Sequence, residues 1–200
     1  MMTKLARRAF LRRAAAAGMA LPLFSRAPRL AAARALAASG KPFRGIFAIL
    51  MTPFTLGDRL DEDDLAREVS FCQRAGAQGV VWPQLFGEFY VLSEQERRRG
   101  AEVLIRAAGG SCAVVIGVQA PSKEIAVEFA RHAESKGADA VIALPPFLGP
   151  VTLDMAADYY RAIAAAIRIP IFIQNTGGQW GPALPTYPSP RRATRGISPL

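Results

Sequence analysis

Short, continuously apolar runs alternate with amphipathic stretches from residue 45 onward, and this rhythm limits the chain to very few folds. Residues 45–51 (G-I-F-A-I-L-M) read as a first buried strand. Residues 61–75 read as a helix. Asp61, Glu62, Asp63 and Asp64 stand at its positive N-terminal end, Leu65, Val69 and Cys72 share one face, and Gly76 is the stop. Residues 79–82 form a second strand. Ser93 then opens a helix, with Glu96 three residues on completing a capping box, and Gly109-Gly110 ends it. Residues 113–118 (A-V-V-I-G-V) read as strand three. Residues 122–136 read as helix three, with Ile125, Phe129 and Ala133 on one side and Gly137 as terminator. Residues 138–144 read as strand four. Thr152 caps helix four, in which Ala156, Tyr159, Ile163 and Ile167 recur at helical spacing, and residues 170–174 (P-I-F-I-Q) are strand five. Apolar strands separated by helices predict an α/β fold with a parallel sheet covered on both faces. The options are an open doubly wound sheet and a barrel. Met51-Thr52-Pro53-Phe54, not a glycine-rich phosphate loop, follows strand one, which weakens a nucleotide-binding reading.

Charge separates the body from what precedes it. The 200 residues carry a net charge of +9. Eight of the 25 basic side chains and none of the 16 acids lie in residues 1–39, so the remainder holds 17 bases against 16 acids. A nucleic-acid-binding body is therefore not expected. The 51% hydrophobic content argues against disorder of the body. No apolar run reaches the ~20 residues of a membrane span. Within residues 1–39, Arg7 and Arg8 followed by Phe10 and Leu11 resemble the twin-arginine motif of the export route for folded proteins. The uncharged residues 14–24 have the length of a signal h-region, and Ala35-Leu36-Ala37 offers a cleavage site. The expectation is a signal segment at 1–39, recognition by the twin-arginine machinery and a periplasmic or secreted protein. The competing reading is an Arg/Ala-rich arm or surface helix. At the other end, residues 182–200 contain five prolines and three arginines with no helical or strand period and read as a disordered tail.

Cys72 and Cys112 are too few for a disulfide framework and read as small buried apolar residues. His132 is the only histidine and has no cluster of ligands around it, so neither a metal nor a cofactor is expected.

Five ordered segments resemble the dihydrodipicolinate synthase / N-acetylneuraminate lyase family. They are G-I-F-A-I-L-M-T-P-F at 45–54, G-E-F-Y-V-L-S-E-Q-E-R at 87–97, residues 114–120, K-G-A-D-A-V-I-A-L-P-P-F at 136–147, and residues 169–175. The resemblance spans about residues 43–181 and implies a (βα)₈ barrel, of which residues 40–181 would supply about five βα units. A complete barrel takes about 250 residues, so the chain is expected to be a truncated or frameshifted member. The missing neighbours of strands one and five would leave open edges, and a folded body is expected to form homo-oligomers or to be poorly soluble.

The family implies pyruvate-dependent class I aldolases and related lyases acting on a 2-oxo acid. A lysine on strand six condenses with the keto group, and a tyrosine after strand five relays protons with a hydroxyl from the strand-two loop. Carried over position by position, the implied pocket is Thr52, Leu85, Phe86, Glu88, Phe147, Gln174 and Asn175. Here Gln84-Leu85-Phe86-Gly87-Glu88 stands where the family has Gly-Thr-Thr-Gly-Glu. Leu85 and Phe86 carry no hydroxyl. Phe147 and Leu148 replace the tyrosines after strand four, Gln174 replaces the strand-five tyrosine beside a retained Asn175, and an expected arginine falls near Gln179. The only lysines are Lys4, Lys41, Lys123 and Lys136, none at a strand end. The expectation is a lyase-family protein whose chain carries no catalytic residues. The alternative is an exported, non-catalytic barrel that binds a small molecule or a partner. Glu88 is expected to orient the loop and cap backbone groups, Trp82 and Phe86 to pack or line a pocket, Tyr159 and Tyr160 to pack, and Arg97, Arg98 and Arg99 to form a solvated helix face.

Overall fold

A computed structural model describes residue 41 and residues 43–177. The export motif, its cleavage site, Gln179 and the proline-rich tail lie outside these residues.

Among the described residues five strands and four helices alternate: β1 (Phe47–Ile49), α1 (Glu62–Arg74), β2 (Gly79–Trp82), α2 (Glu94–Ala108), β3 (Ala113–Gly117), α3 (Lys123–Lys136), β4 (Ala140–Ala143), α4 (Leu153–Ala166) and β5 (Ile171–Ile173). All strands are parallel and lie in the order β1-β2-β3-β4-β5. A doubly wound sheet reverses its strand order at a switch point. This one never does, and unbroken sequential order is the arrangement of a (βα)₈ barrel, here its first five strands.

Helix boundaries follow from side chains that satisfy the free backbone groups at each end. Asp61, Ser93, Ser122 and Thr152 each accept a bond from a backbone N–H three residues on. Ser93 and Glu96 form the reciprocal capping box. Gly109 and Gly137 close α2 and α3 in the left-handed conformation at φ 52° and 96°, which glycine adopts without a Cβ penalty. Helix one begins a residue later than expected, because Asp61 is its cap. Ile167 leaves the helix in an extended conformation but stays buried.

The sheet alternates strictly between two environments. Val80, Trp82, Val114, Ile116, Val141 and Ala143 face the helices in the main core. Val81, Val115, Ala140, Ile142 and Phe172 face the other way, into the barrel interior. Phe43, just before β1, packs on Phe47 and Phe172 at ring separations of 6.2 and 5.7 Å. The chain entry is also pinned by Lys41, whose Nζ reaches Asp139 Oδ2 at 2.8 Å. The same carboxylate oxygen accepts Val114 N–H.

Candidate functional site

In sheets of this kind the groups available for chemistry are those at the C-terminal ends of the strands and in the loops that leave them. The loop after β2 is anchored through Thr52, which follows β1. Its hydroxyl donates to the Gly87 carbonyl and accepts the Trp82 indole N–H at 2.9 Å. Thr52 is buried with both hydrogen-bonding roles engaged, so it holds the loop. Trp82 is fully buried against α2, where Gly100 leaves room for it; a Cβ there would meet the indole at 2.2 Å. Trp82 is thus a core residue.

Phe86 projects from the same loop and is 70% exposed, while Leu85 is half-buried. Glu88 differs from expectation. Its carboxylate is solvent-exposed and makes no hydrogen bond among the described residues. The loop is instead closed by backbone bonds from Glu88 N to Leu85 O and from Val91 N to Glu88 O. Glu88 itself sits at φ 49°. Short-range turns satisfied the backbone groups that its side chain was expected to cap.

Phe147, in the loop after β4, is half-buried and meets Phe89 edge-on at 5.5 Å, tying that loop to the one after β2. Gln174 and Asn175 follow β5. Gln174 lines a hollow of about 580 Å³ on the interior face of the sheet, together with Ile49, Val81, Ile142 and Ile173, and among the described residues it is the only polar side chain there. Its Oε1 is buried without a hydrogen-bond partner in the described structure. Asn175 Oδ1 accepts Gly177 N–H at 3.1 Å. Thr52, Leu85, Phe86 and Glu88 therefore gather around the exit of β2, Phe147 joins them through Phe89, and Gln174 stands apart on the interior hollow.

Two side chains that were read as packing do more. Tyr159 and Tyr160 are buried. Tyr159 Oη accepts Ala120 N–H at 3.0 Å, and Tyr160 Oη donates to Ala143 O at 3.2 Å, both at strand ends. Desolvation pushes the Tyr159 phenol up to about 12. Burial raises that of Tyr160 as well. Neither is poised to exchange a proton near neutral pH.

Arg97 is a correction. It was expected on a solvated helix face, and it is only 7% exposed. It donates to Gly117 O and Gln119 O and lies over the Phe129 ring at 4.1 Å. Desolvation lowers its pKa to about 10. Its neighbours explain the difference: Arg98 and Arg99 pair with surface acids, Glu128 and Glu62, and remain on the outside. The buried amides Gln84 and Gln119 were also missed as a pair. Gln84 Nε2 donates to Gln119 Oε1 at 3.1 Å. Their separation of 35 residues gives no local signal.

A family model described as the dihydrodipicolinate synthetase family matches residues 42–186. The 4-hydroxy-tetrahydrodipicolinate synthase of Bradyrhizobium diazoefficiens is 39% identical over 133 residues, covering 66% of this chain and 45% of that protein. An uncharacterized DapA-like lyase of Halobacterium salinarum is 34% identical over 145 residues, covering 72% and 48%. Among solved structures, dihydrodipicolinate synthase from Agrobacterium tumefaciens superposes with a TM-score of 0.65 at 27% identity, covering 72% of this chain and 47% of that one. YagE from E. coli K12, a dihydrodipicolinic acid synthase family protein crystallised with pyruvate, gives 0.65 at 26% identity, covering 68% and 45%. The chain spans about half the length of the relatives it matches.

Proposed function

The chain belongs to the dihydrodipicolinate synthetase family, and from that premise we propose that its strand-end mouth binds a small 2-oxo acid of the pyruvate type without covalent capture by any lysine of this sequence. The supporting observation is where the lysines stand. Lys41 precedes β1 and is held by Asp139. Lys136 ends α3 and pairs with Glu102 at 2.9 Å. Lys123 opens α3 and bonds Asp158 of α4 at 2.5 Å. That hydrogen bond raises the pKa of Lys123. A Schiff-base lysine needs the opposite shift, since only the neutral amine attacks a carbonyl. Lys4 lies outside the described residues. The chain offers instead the Gln174 amide in the apolar hollow on the interior face of the sheet, which suits non-covalent binding. Pyruvate with borohydride, read by intact-protein mass, tests the covalent half of the proposal, and titration of the protein with pyruvate by calorimetry tests the binding half. The expected result is heat of binding with no added mass. Reduced pyruvate fixed to a lysine would overturn the reading.

The proposal includes export by the twin-arginine route. The support is that Lys41 and Phe43 are already built into the folded body, so a cut after Ala37 would leave the fold whole. Replacing Arg7 and Arg8 together by lysine is expected to block export, as judged by cell fractionation. Undiminished export of that variant would rule it out.

A further inference from the structure

We propose that Arg97 is a positioning residue that registers the exit loop of β2 against the exit loop of β3. This deepens the reading of the strand ends as a binding mouth and rests on it. The argument starts from the backbone of residues 117–120, which leaves the sheet and needs new partners for its polar groups. Val118 N–H still donates to Ile142 O of β4. Ala120 N–H is taken by Tyr159 Oη. The carbonyls of Gly117 and Gln119 are both taken by the one guanidinium of Arg97, at 3.0 and 2.9 Å.

Gln119 carries the connection to the next loop. Its Nε2 donates to Pro83 O at 2.9 Å, and its Oε1 accepts from Gln84 Nε2 at 3.1 Å. The direction of this chain is fixed by chemistry. Pro83 O can only accept, so the Gln119 amide must turn its nitrogen there and its oxygen to Gln84. The loops also touch directly: a Cβ on Gly117 would lie 1.8 Å from Pro83 O. On its far side the guanidinium reaches the loop after β2 again, with its Cζ 5.7 Å from the Phe89 ring. Arg97 therefore closes a ring that runs from Pro83 and Gln84 through Gln119 to its own guanidinium and back to Phe89.

The fork explains the residue type. Two carbonyls two residues apart and a flat face on Phe129 need a planar donor with several N–H groups, which a lysine ammonium does not provide. Arg97 forms no ion pair with a carboxylate among the described residues, so its charge is balanced by carbonyl dipoles and aromatic faces.

The test is hydrogen–deuterium exchange by mass spectrometry on the full chain, comparing wild type with Arg97→Lys, Arg97→Met and Gln119→Met, with Arg99→Met as the surface control. With the fork that reaches both carbonyls lost in Arg97→Lys, exchange of residues 84–91 and 117–122 is expected to accelerate on the order of tenfold or more, while α1 and β4 keep wild-type protection. Gln119→Met severs only the link between the loops and is expected to release 84–91 alone. Arg99→Met should change neither loop. Unchanged loop protection in Arg97→Lys, or acceleration spread evenly over every element, would overturn the proposal. If Arg97→Met does not fold, Arg97→Lys and Gln119→Met still decide it. The readout needs no ligand, so failure of pyruvate to bind wild type would remove the proposed function and leave this result standing.

Discussion

At the scale of single residues, burial decided roles that residue type had left open. Arg97, Arg98 and Arg99 are consecutive and chemically alike, yet the first is enclosed and the other two pair with surface acids. Nothing local separates them; the distinction arises because the helical turn aims position 97 at the carbonyls that end β3. Tyr159 shows the same dependence and yields a pH prediction. Its phenol has an ordinary value of 10.0 and is pushed up to about 12 in the fold, first by desolvation. The folded state thus retains a proton that the unfolded chain releases. Its contribution to stability is complete below pH 10, declines above it and is lost as the pH passes about 12. Thermal unfolding followed between pH 9 and 12 should show a fall in midpoint that is smaller in Tyr159→Phe than in wild type. Equal falls in the two proteins would show that Tyr159 does not carry the effect.

At the scale of elements, the sequence marked helices better than strands. Ser93 and Thr152 cap their helices where they were expected, Ser122 caps its helix rather than beginning it, and Gly109 and Gly137 end theirs. A cap acts within four residues, so the information needed to place it is local. Strands depend on neighbours supplied from far along the chain. Residues 79–82 were placed correctly, and that strand is paired on both sides. Residues 45–51 and 170–174 were each expected to be longer, and the structure has only Phe47–Ile49 and Ile171–Ile173. Each pairs with one strand among the described residues, so each runs only where β2 or β4 offers a ladder.

At the scale of the whole molecule, the order β1-β2-β3-β4-β5 leaves β1 and β5 with one described neighbour each. Ile49 and Ile173 on those strands are 45% and 54% exposed. The protein is expected to self-associate through the apolar face on which these two side chains are exposed, with a mass from light scattering that rises with concentration, and Ile49→Lys combined with Ile173→Lys, which puts charge on that face, should lower it. A wild-type monomer at every concentration tested would count against this. The sequence by itself determined the alternation of strand and helix, the helix caps and the family to which the chain belongs, because apolar period, capping chemistry and ordered motifs are all local. Only the tertiary structure decided which polar groups meet at the strand ends. The bonds from Arg97 to Gly117 and Gln119, from Gln119 to Pro83 and from Thr52 to Gly87 each join residues 20 to 36 positions apart. Such contacts exist only once the parallel sheet has brought successive strand ends side by side, and no pattern along the chain encodes their pairing.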